Sequence, residues 1–282
     1  MKRILIALAG AIALTACAPQ ASESEAVEAS AAETALAEVL AHERRAEDTA
    51  RDEFRHPAET LAFFELEPSQ TVIEYAPGGG WYTRILAPYV ADEGSYIAAT
   101  FPADPAYLGD QFAELVREGT ASFAQDQSEA LGIPAEKLPA YFTAELPEEL
   151  AGTVDRVLMI RMMHNLVRWG IADSELEGLH AALKPGGMMG VVQHRAKADA
   201  SDEFADGNRG YLREADLIAL IEGKGFEFIG STDVNANPND PTDHENGVWA
   251  LPPTFAGGDE GREDFAAIGE SDRMTLLFKK AE

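Results

Sequence analysis

The sequence predicts an α/β protein built on a mostly parallel sheet with helices on both faces. Two observations carry that expectation. Short apolar runs alternate with helical segments from residue 71 to residue 280, and connections of helical length between strands imply parallel βαβ units. A glycine run, VIEYAPGGGW (residues 72–81), also stands between the first of those strands and the helix that follows it.

In chain order, the N-terminus comes first. Lys2 and Arg3 form a charged region, residues 4–14 (ILIALAGAIAL) an apolar one too short to span a membrane as a mature helix, and Leu14-Thr15-Ala16-Cys17 follows. This resembles a bacterial lipobox, in which the cysteine becomes the first mature residue and carries lipid. The reading is a signal peptide over 1–16, lipidation at Cys17, and a periplasmic protein whose only membrane attachment is that anchor, with Ala18 pointing to the outer membrane. Cys17 is the only cysteine, which excludes disulfides and a cysteine metal site. Residues 17–38 are rich in Ala, Glu and Ser and read as a flexible tether whose later part is open to helix, leaving 39–282 as a single domain that opens with helices. Helix is expected over the charged stretch 39–52 and again over RHPAETLAFFEL (55–66), where Pro57 sits in the first turn.

The strands follow. TVIEYA (71–76) reads as a buried strand, WYTRILAPYV (81–90) as a helix and SYIAAT (95–100) as a second strand. A weak third is placed at ASFA (121–124), and TVDRVLMIRM (153–162) is a strong fourth. DSELEGLHAAL (173–183) is helical and stops at Lys184-Pro185-Gly186-Gly187, after which MMGVVQH (188–194) makes a fifth strand. READLIALIEGKG (213–225) is an amphipathic helix, FEFIGSTDV (226–234) a sixth strand and RMTLLFKK (273–280) a seventh.

The charge balance removes whole classes of function. With 22 Lys and Arg against 49 Asp and Glu, the formal net charge is −27. Such a surface repels phosphate backbones and anionic headgroups, so neither nucleic acid nor a membrane surface is an expected partner.

A glycine loop acquires meaning from its setting. Gly78, Gly79 and Gly80 lack side chains and let a ligand approach the backbone, while the helix that follows offers unpaired amides. Here the chain resembles the class I methyltransferases that use S-adenosylmethionine. Their first motif has an acid followed by glycines at alternating positions; Glu74, Gly78 and Gly80 match it, and Ala76 replaces the first glycine. Asp155-Arg156-Val157-Leu158, LKPGGMMGVV (183–192) and GKGFEFIGSTDV (223–234) match the family's fourth, fifth and sixth strands. PGGGWYTRILAPY, MMHNLVRWG, NANPNDPTD, GVWALPPT and IGESDRMTLLF further resemble a group of exported bacterial proteins called predicted methyltransferases.

The resemblance implies a Rossmann-like methyltransferase fold, seven strands with the last antiparallel, S-adenosylmethionine as cofactor and a small-molecule acceptor. It places the methionine part of the cofactor at Glu74, Ala76 and the loop Gly78–Gly80, and the ribose near the end of SYIAAT, where Thr100 or Phe101 stands in place of the family's acid and Asp104 is the next one. The adenine amine falls to Asp126, after the expected third strand. His164 and Asn165 follow the fourth strand at the sheet's carboxyl edge, where ligands bind in open α/β folds, and a neutral His164 can take a proton from the acceptor. His194 and Arg195 close the fifth strand on the same edge; His164, Asn165 and His194 are the catalytic candidates, and Arg195 is a candidate holder of an anionic acceptor group.

Residues 235–273 are dense in Asn, Asp, Pro and Gly, too polar for a regular element, and Trp249 marks them as an ordered lid over the pocket. Asp240, Asp243, His244 and Glu245 in this stretch lack the spacing of a cation loop, and no metal is expected. Three readings stand: a methyltransferase, a binding protein using the same pocket for another adenosine-like or small organic ligand, and a structural envelope lipoprotein.

Overall fold

The computed structural model describes residues 23–281; the expected leader, the lipobox and Cys17 lie outside the described residues. Seven strands form one sheet: β1 (Thr71–Tyr75), β2 (Ser95–Thr100), β3 (Ala140–Phe142), β4 (Val154–Ile160), β5 (Leu183–His194), β6 (Phe226–Thr232) and β7 (Arg273–Lys280). Their order is β3-β2-β1-β4-β5-β7-β6, parallel throughout except for β7, which runs antiparallel to β5 and β6. The order reverses between β1 and β4, and a crevice outside the carboxyl ends of those strands is the expected ligand position in such a sheet.

Period-two alternation in β1 distributes its side chains to the two faces. Val72 enters a core with Tyr96, Leu158 and Val192 and with Ile85 and Leu86 of α4 (Thr83–Val90). Ile73 and Tyr75 enter the opposite core with Val157, Met159 and Val191. That second core is covered by α7 (Met163–Trp169), α8 (Ala172–Ala182) and α9 (Glu214–Glu222) through Leu166, Leu176 and Leu217. On the first face Phe64, fully buried, lies over Gly190 of β5, where an added Cβ would fall 2.5 Å from Cγ of the ring. Burying such a ring contributes about 1.5–3 kcal/mol, which this strand glycine makes possible.

The N-terminal segments differ in detail from the sequence expectation. α1 (Glu23–Ala41) is helical through most of the stretch read as a tether, because Ala and Glu are strong helix formers. From Ala32 onward it is docked: Tyr89 Oη donates to the Ala32 carbonyl (3.4 Å), and Leu36 and Val39 pack against the first core. The helix expected over 39–52 is instead two 3-10 turns (Glu43–Arg45 and Thr49–Arg51) and the short α2 (Asp52–Arg55), and the one expected over 55–66 is α3 (Pro57–Phe63), set off from α2 at His56, whose φ is 39°.

The third strand is misplaced by the sequence reading. Residues 121–124 lie inside α6 (Asp110–Leu131), which follows a short α5 (Pro105–Leu108), while β3 starts at Ala140. Phe112, Leu115, Val116 and Phe123 recur at helical rather than alternating spacing, and ASFA is one part of that stripe. A last helix, α10 (Arg262–Ile268), lies in the long connection to β7.

Candidate functional site

At the reversal point, a cavity of about 500 Å³ opens beyond β1, β2 and β4, a size typical of small-molecule sites, which span roughly 300–1,000 Å³. Ala76, Pro77 and Gly78 form one wall, Thr100 and Phe101 continue from β2, and the α6 stripe closes a third side. Met162, His164, Asn165, Arg168 and Trp169 come from the segment after β4, and Trp249 from the 235–272 connection.

The glycine turn is left-handed at alternate residues: φ is 51° at Ala76, 57° at Gly78 and 74° at Gly80. Ala76 thus holds a conformation that costs an L-residue about 1–2 kcal/mol, in the place where the resembled motif has glycine. A Cβ built on Gly79 meets no protein atom within 4 Å, and one on Gly78 meets only the Ala76 carbonyl at 3.9 Å. The space above this turn is therefore free for a ligand. Gly80 is buried and faces Arg84, so of the three glycines Gly78 alone lines the cavity.

Glu74 does not reach the cavity, which corrects its expected role. Strand alternation turns it to the α4 face, where its Oε2 accepts from Tyr96 Oη (2.6 Å) and Thr83 Oγ1 (2.8 Å). Burial pushes its carboxyl up to about 7, against the two hydrogen bonds. Its work is to tie β1 to β2 and to the first turn of α4 beneath the glycine loop.

Asp126 is a second correction. It sits on an exposed face of α6, accepts from Ser122 Oγ (2.7 Å) and does not line the cavity. The segment that does follow β3 begins at Thr143, whose Oγ1 donates to the Thr100 carbonyl (3.0 Å). Thr100 itself lines the cavity as expected of its position.

His164 is 4% exposed and lines the cavity. Gln193, fully buried on β5, donates its Nε2 to the Gly210 carbonyl (2.7 Å), which fixes its Oε1 as an acceptor. That oxygen stands 3.3 Å from His164 Nδ1, so Nδ1 carries the proton and Nε2 keeps its lone pair. Burial lowers His164 to about 4, and the ring is neutral at ordinary pH. Gln193 was invisible as a site residue in the sequence, where it is one more polar residue in a strand. Asn165 also lines the cavity and donates Nδ2 to Met162 Sδ (3.3 Å).

His194 and Arg195 stand on the same edge but turn away from the cavity. His194 packs its ring on His164 at 5.5 Å and pairs its Nδ1 with Ser271 Oγ at 2.6 Å; burial drives its pKa well down. Arg195 is taken up by Asp272 (2.9 Å), Asp233 (3.0 Å) and Glu214 (3.4 Å), which leaves it no free acceptor-binding role.

Trp249 contacts His164 at 5.9 Å and the Arg168 guanidinium at 5.7 Å, so the long connection supplies a wall of the site. The loop is held rigidly by its polar residues. Asn235 Nδ2 donates to Thr60 Oγ1 and Thr275 Oγ1, both at 2.9 Å, and Asp240 accepts from His244 Nε2 (2.9 Å) and the Asp272 amide (2.8 Å). Asp243 and Glu245 point outward, and among the described residues no group of three or more acids and histidines is placed to hold a metal.

Solved structures share this architecture. An S-adenosylmethionine-dependent methyltransferase from Aquifex aeolicus superposes over 87% of this chain and 98% of its own, with a TM-score of 0.51 and 14% identity. The fold is that of the class I methyltransferases. The [4+2]-cyclase SpnF also shares the fold, matching 80% of this chain and 81% of its own at a TM-score of 0.54 and 16% identity. No family model matches the sequence, and no curated protein matches it. Within the class I methyltransferase fold, the cavity described above lies at the switch point, bounded by the turn after β1 and the segment after β4.

Proposed function

We propose that this protein is an S-adenosylmethionine-dependent methyltransferase acting on a small molecule. The observation that supports it most is the turn Ala76–Gly78, left-handed at Ala76 and Gly78, without a side chain at Gly78 and open to a cavity at the switch point. The residues fit the cofactor in part. The turn at Ala76–Gly78 would hold the methionine end, Thr100 the ribose, and the apolar wall of Leu115, Phe123 and Ala140 the base. When bound, S-adenosylmethionine supplies a methyl group already activated on a sulfonium. Positioning then provides much of the rate. His164 Nε2 accepts the acceptor's proton, and Gln193 holds the ring in the tautomer that permits this.

One observation favours a second reading. Among the described residues no carboxylate lines the cavity, at Thr100 or elsewhere, and a binding protein for another adenosine-like or small organic ligand would not need one. Calorimetry with S-adenosylhomocysteine separates the two. The transferase reading expects one site per chain, with affinity weakened at least about tenfold by Gly78→Ala, a change that costs the fold only about 1 kcal/mol. No heat of binding at millimolar ligand would remove the basis for methyl transfer.

The same proposal has the protein exported and held by lipid on Cys17, from the leader and the LTAC stretch at 14–17. Cys17→Ser is expected to shift the protein from the membrane to the soluble fraction on cell fractionation. An unchanged membrane fraction rejects the anchor.

A further inference from the structure

Among the described residues that line the cavity, Arg168 carries the one formal charge, since His164 is neutral and no carboxylate stands there. It belongs to the last turn of α7, one helical turn beyond His164, so the two side chains share a face of that helix with their Cβ atoms about 5–6 Å apart. Both meet the ring of Trp249, Arg168 at 5.7 Å and His164 at 5.9 Å.

Two indoles fix where the guanidinium stands. Its Cζ lies 5.4 Å from the ring centre of Trp169, its neighbour in α7, and 5.7 Å from that of Trp249, which arrives from the connection before β7. Contact with ring faces holds a guanidinium through its plane and charge and leaves its five N–H donors unused. Among the described residues Arg168 has no carboxylate at ion-pair distance and donates no hydrogen bond; burial alone acts on its pKa, lowering it.

The other arginines that lie over tryptophan behave differently. Arg45 and Arg55 stand over Trp81, and each is also paired with a carboxylate, Asp52 at 2.6 Å and Glu270 at 3.2 Å. Arg195, the cation expected to hold an anionic acceptor group, is likewise taken up by its own carboxylates. An exposed arginine needs no partner in water, but Arg168 is positioned by a distant part of the chain and turned to a cavity. Its donors are free for what enters there.

The surroundings limit the ligand. Phe101 packs on Trp169 at 4.9 Å, and these two rings with Tyr141 and Trp249 give the wall flat apolar faces. The guanidinium carries one charge, and the described lining holds no second cation to complement the nearly double charge of a phosphate monoester. A planar carboxylate matches a single guanidinium in charge and takes two parallel N–H bonds from it.

We infer that Arg168 is the anchor for a carboxylate on a flat aromatic acceptor, whose proton-bearing oxygen or nitrogen is turned to His164. The acceptor is thus an aromatic acid carrying a hydroxyl or amine, separated from the carboxylate by a span that one helical turn sets. That this molecule is methylated rests on the proposed transferase reading; the carboxylate site does not.

The test titrates the whole chain, without cofactor, with para-hydroxybenzoate, para-hydroxyphenylacetate and indoleacetate, each beside its neutral amide, and with phenyl phosphate. At least one acid is expected to bind one per chain with a dissociation constant below about 1 mM, at least about tenfold tighter than its amide. Arg168→Gln should remove that preference and leave the melting temperature within about 2 °C of wild type, as an exposed side chain without an ion-pair partner allows. Arg168→Lys, which keeps the charge and loses the paired geometry, should retain part of the preference. S-adenosylhomocysteine should bind wild type and Arg168→Gln alike. No acid binding, acids and amides binding equally, or a preference that survives in Arg168→Gln overturns the anchor. Phenyl phosphate binding tighter than every acid overturns the carboxylate. Weakened S-adenosylhomocysteine binding in Arg168→Gln gives the guanidinium to the cofactor's carboxylate and overturns its assignment to the acceptor. Acid binding that depends on Arg168, in a protein that does not bind S-adenosylhomocysteine, refutes the transferase reading and leaves this site standing.

Discussion

Glu270→Gln should lower the unfolding free energy by about 3–5 kcal/mol at pH 7, because it removes the carboxylate that pairs with three buried or half-buried guanidiniums. Against a typical total of about 5–15 kcal/mol, that is a large share. Burial alone would raise the Glu270 carboxyl, yet Arg273, Arg55, Arg51 and Arg161 together hold it down at about 2, from an ordinary value of 4.5. Unfolded chains therefore bind more protons than folded ones between those two values. The stabilisation is complete above pH 4.5 and is lost as pH falls toward 2; at 1.36 kcal/mol per unit it amounts to about 3 kcal/mol. Urea unfolding of wild type and variant should show a wide gap at pH 7 that narrows on acidification. A gap under about 1 kcal/mol at pH 7 would mean that the cluster is compensated by something other than Glu270.

Glu74→Gln should act in the opposite direction. Burial raises the Glu74 carboxyl from 4.5 to about 7, even though Tyr96 and Thr83 donate to it. Folded protein then binds more protons than unfolded between pH 4.5 and 7, so stability from this group falls as pH rises through that window; the full change is about 3 kcal/mol. A glutamine keeps a carbonyl oxygen for the same two hydroxyls and carries no charge to desolvate. The variant should match wild type near pH 4.5 and exceed it by up to about 3 kcal/mol at pH 8 in denaturant titrations. Equal differences at both pH values would show that the carboxylate stays ionised in its pocket.

These two carboxylates flank the glycine turn and explain how a loop with few side chains keeps its shape. Glu74 ties β1 to Thr83 at the start of α4, while Glu270 gathers the arginines on which Trp81 rests. Arg84 completes the frame by pairing with Asp48 (2.8 Å) and donating Nη1 to the Gly79 carbonyl (2.9 Å). The turn is thereby held from below, and its upper surface stays free. Rigid support beneath an exposed backbone is the arrangement a ligand cradle needs.

The α/β class, the strong strands at 71–76, 95–100, 153–162 and 188–194, and the place of the glycine turn were legible in the sequence, because buried strands and strand-to-helix turns are written in contiguous residues. His164 and Asn165 could be placed at the site because they follow the end of a parallel strand, and in such sheets that edge is where ligands bind; Thr100 was placed there by the family resemblance. Local pattern failed where a short apolar run fits two periods, as at ASFA, where the longer α6 stripe decides for helix. It also failed for side-chain direction. Glu74 and His194 sit at the right edge but point elsewhere, since one residue of alternation sends a side chain to the other face. The arginine cluster was least legible of all. Arg51, Arg55, Arg161, Glu270 and Arg273 come from three distant stretches, and nothing in any one stretch marks them as neighbours. Sequence by itself determined six of the seven strands and most of the helices between them, because hydrophobic period and turn residues act over short range; the order of the strands across the sheet came from the folded chain. Which charges meet, which carboxylate is buried and which histidine nitrogen is left with a lone pair were decided by tertiary packing alone, because electrostatics and hydrogen bonding depend on distances that only the folded chain creates.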